Sequence, residues 1–227
     1  MTASWPIGVV TSAWGTYGRY LPKWVESVAA QTVRPELVTV LDAGVDDIGP
    51  AREALDESGL PWQIVRDTYR GMGAARNRAV EATATEWVMH LDADDLLLPH
   101  CLADVRALAP WADVVSVGMR RGRRDIVFPH VSARQALAGR QAAFSCAAFR
   151  RDLWERRGVR WHTANDWVDS ALWVRAARAG ARFAGTSRPG AVYRQHAGSF
   201  SRRLTHRDRA AARAQLDRMV RDPAWSP

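Results

Sequence analysis

The feature that most constrains the fold is an apolar strand running straight into carboxylates: Trp87–Leu91, then Asp92-Ala93-Asp94-Asp95. A continuous apolar run of this length reads as a strand covered on both faces. Three acids at its end must instead sit at an open edge of the sheet, where solvent or a cation offsets their repulsion. The preceding segments repeat this arrangement. Ile7–Thr11 and Leu37–Leu41 read as buried strands, the first leading to Ser12 and Trp14, the second to Asp42 and Gly44. Apolar residues at helical spacing fill the intervals: Arg19–Gln31, Ala51–Ser58, Ala74–Ala84 and Pro99–Leu108. With strands at Trp62–Arg66 and Val114–Val117, the pattern predicts an α/β chain with a mostly parallel sheet flanked by helices. Ligands of such sheets bind beyond the carboxyl ends of the strands, which brings Ser12, Trp14, Asp42, Asp92 and Asp94 to one crevice.

The second half is less regular. Arg120–Arg124 reads as a basic turn, Ser132–Ala138 as a helix and Phe144–Phe149 as a strand followed by a helix that stops at Gly158. Asp166–Ala179 reads as a strong helix ending at Gly180, Ala191–Gln195 as a last short strand and His206–Arg221 as a polar, basic helix. No repeat or linker divides the chain. A single domain over 1–227 is expected, with a first half over about 1–118, a second over about 119–204 and a basic tail over 205–227.

Hydrophobic residues make up 47% of the chain and charged residues 25%, which excludes a disordered or disulfide-scaffold protein. No run reaches the roughly 20 apolar residues of a membrane span. The N-terminus lacks a secretory pattern, and Cys101 and Cys146 lie far apart in apolar contexts. A reduced, cytoplasmic protein, peripheral to a membrane at most, is expected. The formal charge is +8, and all but one of the 32 basic residues are Arg, which reads first as codon composition. Arg207, Arg209, Arg213, Arg218 and Arg221 read as a solvated helix face ahead of a nucleic-acid or lipid surface. Most of the 11 tryptophans read as core; Trp14, Trp161 and Trp167 are the expected exceptions.

The acidic cluster suits a hard cation such as Mg²⁺ or Mn²⁺. The bland alternative is a solvated turn in which Asp95 caps the next helix. Further segments in order are Trp14, Ser27-Val28-Ala29-Ala30-Gln31-Thr32, Leu41-Asp42-Ala43-Gly44 and Arg70-Gly71-Met72-Gly73-Ala74-Ala75-Arg76-Asn77. After the acidic cluster come Asp169, six residues before Arg175, and Tyr193-Arg194-Gln195-His196. This ordered set resembles the family 2 glycosyltransferases, which have the GT-A fold. The resemblance implies a nucleotide-sugar donor, UDP-linked by default, and transfer of its sugar, with inversion, to an acceptor with a free hydroxyl. It implies Asp94 and His196 as ligands of Mn²⁺ or Mg²⁺, Asp92 near the ribose or the metal, and Arg70 and Arg76 against the diphosphate. Trp14 falls at the base-stacking position, with Ser12 and Asp42 beside it. Asp169 is the implied general base, with Asp166, one turn earlier, the second candidate. Two positions depart from the pattern: Ala43 stands where an acid usually contacts the base, and Val168 where an acid precedes the catalytic one.

Other readings were weighed on the residues alone. A nucleotidyltransferase needs a basic, Gly-rich loop after the first strand, and Ser12–Tyr17 holds no Lys or Arg. A nucleic-acid-binding protein draws only on the charge, since no recognition motif is present. A degenerate transferase draws on Ala43 and is opposed by Asp94, Asp169 and His196.

Overall fold

A computed structural model of the chain describes residues 5–162 and 169–222. Strands β1 (Ile7–Gly15), β2 (Leu37–Val45), β3 (Trp62–Arg66) and β4 (Trp87–His90) alternate with helices α1 (Leu21–Ala29), α2 (Gly49–Ser58) and α3 (Met72–Glu81). These four strands pair in parallel, in the order β3-β2-β1-β4. Side chains alternate between the faces. Val9, Val40 and Met89 pack with α1, α2 and helix α4 (Cys101–Leu108), whereas Val10, Leu41 and Val88 pack with α3 on the opposite side.

The C-terminal half extends the sheet in a mixed pattern. Strands β6 (Val114–Arg121), β8 (Ala148–Arg150) and β9 (Phe183–Val192) continue the order as β4-β8-β6-β9, ending on β5 (Leu96–Leu97), while β7 (Arg124–Ile126) hairpins onto β6. β8 is antiparallel to both β4 and β6, and the mostly parallel character expected is carried by the first four strands and by β6 beside β9. Helices α5 (Ala133–Leu137), α6 (Arg151–Glu155) and α7 (Asp169–Arg178) cover the α3 side. α8 (Phe200–Arg203) precedes α9 (His206–Arg221), which docks on α7 through Val174, Leu216 and Met219.

Several local expectations change. The residues after the acids form β5, and Asp95 accepts the Arg194 backbone N–H at 3.0 Å, so it caps no helix; α4 starts at Cys101. The helix read over Arg19–Gln31 is a 3-10 turn (Thr16–Tyr20) followed by α1. Phe144–Ala147 turns back on itself, and only Ala148 onward pairs as strand. β9 begins eight residues before the expected Ala191. Its Gly185, Pro189 and Gly190 are poor strand formers, and its pairing with β6 slips register twice. Asp166, Trp167 and Val168 lie outside the described residues.

The segment Gly71–Asn77 places α3 against the chain that leads toward α7. Gly71 has φ +106°, a conformation that favours glycine. A Cβ on Gly73 would lie 2.1 Å from the His162 carbonyl oxygen. One turn on, Asn77 Nδ2 donates to Trp161 O at 2.9 Å, and Asn77 Oδ1 accepts Trp161 N–H at 3.0 Å. The 161–162 segment is thereby pinned flush against α3. Gly73→Ala is expected to destabilise the chain by about 1–3 kcal/mol through overpacking. Urea unfolding measures this, and an unchanged midpoint would contradict the packing described.

Candidate functional site

The carboxyl ends of β1 and β4, the N-terminus of α7 and the inner side of α9 enclose a cavity of about 490 Å³. Ser12, Trp14, Arg76, Asp92, Asp94 and Asp169 line it, so six of the candidate site residues are brought together. At its base lies Arg76, only 3% exposed, donating Nη2 to Asp92 Oδ1 at 2.7 Å and Nη1 to Asp169 Oδ1 at 2.8 Å. Burial works against this guanidinium's charge, but the two carboxylates outweigh it and raise its pKa. Both terminal nitrogens meet acids, so Arg76, expected beside a diphosphate, is in this structure the hub joining Asp92 to Asp169.

The same hub sets the acids apart electrostatically. Burial pushes Asp92 upward, yet Arg76, His90 and the Ser145 hydroxyl, which donates to Asp92 Oδ2 at 2.9 Å, hold it at about 2. Asp169 is raised by burial, with Asp92 adding to the effect and Arg76 opposing it. Asp94 is raised by burial and by Asp92, and Asp95 well above the usual range for the same causes together with Asp94. His90 beneath them is fully buried and pushed down to about 3 by burial and Arg76, so it remains neutral.

Asp94 and His196 meet, with His196 Nε2 2.8 Å from Asp94 Oδ2. Arg194 delivers the histidine: its Nε donates to Asp94 O, its backbone N–H to Asp95 Oδ1, and its guanidinium sits 5.1 Å over the Tyr20 ring. Tyr17 Oη fixes the following loop through Gly198 O at 3.1 Å. Among the described residues no cluster of three or more His, Cys, Asp or Glu side chains has a metal-holding arrangement.

The remaining residues have partners of their own. Asp42 Oδ1 accepts the Gly44 and Val45 N–H groups at 3.1 and 2.8 Å, holding its own turn. Arg70 pairs with Asp67 at 3.0 Å on the surface. Trp14 stacks on Tyr69 at 4.5 Å, whereas Trp161 is buried beside His90 and Phe149 and is core. Tyr69, Tyr17 and Ser145 carried no local sequence signal. Ser145 sits in an apolar stretch 53 residues from its partner, and only the return of the chain along β8 brings it to Asp92.

The Arg76 bridge yields a stability test. Arg76→Met strands two carboxylates in a buried setting and is expected to cost about 3–5 kcal/mol at neutral pH. Their folded pKa values then exceed the unfolded ones, so folding takes up protons and the deficit shrinks as pH falls toward about 4. Urea unfolding of both proteins across pH reads this; a pH-independent deficit would contradict the bridge.

The model of the family described as "Glycosyl transferase family 2" matches residues 9–159. An uncharacterized glycosyltransferase of Nostoc sp., alr2836, is 35% identical over 114 residues, covering 49% of this chain and 35% of its own length, so the chain spans about a third of that relative. Among solved structures, Staphylococcus aureus TarS 1–349 in complex with UDP-GlcNAc superposes with a TM-score of 0.74 at 17% identity, covering 88% of this chain and 61% of that one. The mannosyltransferase PcManGT of Pyrobaculum calidifontis, in complex with GDP-Man and Mn²⁺, gives 0.70 at 21% identity over 100% and 67%. These neighbours share the GT-A architecture, and the acidic turn, the Gly71–Asn77 segment and the α/β half that carries both lie within the matched region. The chain belongs to glycosyl transferase family 2.

Proposed function

We propose that the chain transfers a sugar from a nucleoside-diphosphate sugar to an acceptor hydroxyl, with inversion, using Asp169 as general base. The observation that carries this reading is the shared cavity, in which Arg76 ties Asp169 to Asp92 while Asp94, in contact with His196, lines the same space. Direct displacement at an anomeric carbon needs one carboxylate to accept the hydroxyl proton and no enzymic nucleophile. Asp169 is part of the cavity lining, and the Arg76 contact at its Oδ1 orients the carboxylate. Burial raises its pKa, which strengthens the carboxylate as a proton acceptor.

Asp94 and His196 fit a divalent cation. Carboxylate and imidazole are compatible donors for Mn²⁺, and the upward shifts of Asp94 and Asp95 report a negative field that a cation relieves. Two protein ligands leave the other coordination positions to oxygens from outside the chain. When bound, the ion supplies positive charge to a leaving diphosphate. Trp14, backed by Tyr69, offers a flat apolar face for a nucleobase, and Arg70, paired with Asp67 at the surface, is the guanidinium read as a phosphate ligand. A uracil base is the default reading, with Asp42 supporting the turn beside it. Among the described residues no helix is long and apolar enough to cross a membrane; the proposed setting is the cytoplasm, including its membrane surface.

A panel of nucleotide sugars, scored for release of nucleoside diphosphate with Mn²⁺ and with EDTA, tests this reading. One donor is expected to turn over with metal and stop with chelator; full turnover in EDTA would remove the metal assignment. Asp94→Ala and His196→Ala are expected to weaken metal activation by at least about tenfold. Asp169→Asn is expected to reduce transfer by about 10²–10⁴-fold while nucleoside-diphosphate affinity stays near wild type. Because the carboxylate is the active form and burial raises its pKa, kcat should fall as pH drops through a point above about 3.9, the ordinary Asp value. A profile flat down to that value would contradict Asp169 as base.

A further inference from the structure

We propose that the acceptor is anionic, carrying a phosphate or carboxylate that Arg121 and Arg213, with Arg209 beside them, receive in the cavity; this rests on the transfer reading above. The three arginines come from elements outside the donor half. Arg121 closes β6, and Arg209 and Arg213 are one turn apart on α9, on neighbouring positions of one helix face. All three line the same cavity as Asp94 and Asp169.

Their surroundings decide what they are for. Asp92 and Asp169 have their own cation in Arg76, whereas Arg194 meets the acidic turn through its backbone N–H on Asp95 and its guanidinium on the main-chain oxygen of Asp94. Arg121 is held by neutral groups. Its guanidinium lies 5.5 Å over the Tyr193 ring, and the Gln195 side-chain oxygen, in the amide orientation that satisfies both side chains, accepts Nε and Nη2 at 2.9 Å each. No carboxylate pairs with it among the described residues. A guanidinium positioned by an aromatic face and an amide keeps its full charge for a ligand, and its fork matches carboxylate or phosphate oxygens.

Arg213 is fixed differently. Nη1 donates to Gly139 O at 3.3 Å and Nη2 pairs with Asp217 at 2.9 Å on the same helix. Leu216 and Met219 dock α9 on Val174 of α7, so the helix holds these arginines beside the element whose first residue is Asp169. The basic helix therefore has a docked, cavity-facing portion distinct from its solvated face. A negative charge on the acceptor would be drawn to this wall, leaving the attacking hydroxyl to the Asp169 side of the cavity.

Calorimetric titration of the full chain with glycerol 3-phosphate, and with glycerol as the neutral control, tests the proposal. It is run with and without saturating UDP or GDP and Mg²⁺, so that phosphate cannot report on the donor site. Wild type is expected to bind glycerol 3-phosphate and not glycerol. Arg121→Gln and Arg213→Gln should each weaken that binding by about tenfold or more while nucleoside-diphosphate affinity holds. Arg207→Ala, on α9 and outside the cavity lining, should change neither. Equal responses to glycerol 3-phosphate and glycerol, or no response to either, would overturn the proposal. So would Gln variants that lose nucleoside-diphosphate binding instead, since the arginines would then belong to the donor. If wild type binds neither UDP nor GDP, the donor reading fails separately, and the titration without nucleotide still reads the arginines.

Discussion

A single buried guanidinium holds this site together. Arg76 reaches from α3 to the acid at the end of β4 and to the first residue of α7, at 2.7 and 2.8 Å. Those acids lie 77 positions apart in the numbering, in the two halves of the molecule. Burying one cation is costly, and burying two acids beside it is equally so; the three are tolerable only as a set. Arginine is required because one planar fork must serve two carboxylates along separate N–H directions, which an ammonium cannot reproduce in fixed geometry. The residues around it follow from this demand. Gly73 lets the 161–162 segment approach α3, and Asn77 holds that segment by both of its backbone groups at Trp161.

The bridge also separates the roles of chemically identical groups. Asp92 takes most of the benefit of Arg76, with Ser145 on its other oxygen, and stays strongly acidic. Asp169 shares the same cation yet rises, because burial dominates. Asp94 and Asp95 have no such hub and rise first with burial, then with the crowding of neighbouring acids. A second arginine, Arg194, anchors the C-terminal segment to the backbone of the acidic turn and so brings His196 to Asp94. Two arginines thus organise one acidic cavity from opposite sides, one through carboxylates and the other chiefly through main-chain oxygens.

Much of this was legible in the sequence because strand ends are chemically conspicuous. Buried apolar runs terminating in Ser12, Asp42 and Asp92 announce the open edge of a sheet, and the spacing of Asp94, Asp169 and His196 follows the order of a family pattern. Arg76 was legible as important but not for its role, since an arginine near glycines reads equally well as a phosphate ligand. Its burial by the 161–162 segment is a tertiary fact. Ser145 and Tyr69 left no trace because their partners arrive from distant elements. β9 was mostly missed because its glycines and proline suit a strand only when a neighbour, here β6, supplies the pairing.

In the proposed reaction one carboxylate, Asp169, accepts the hydroxyl proton and no covalent sugar–enzyme intermediate forms. Stereochemistry reads this directly. Proton NMR of the first-formed product, compared with the donor's anomeric signal, should show the opposite anomeric configuration. Retention of configuration would contradict it, because a single in-line displacement by the acceptor hydroxyl inverts the anomeric centre.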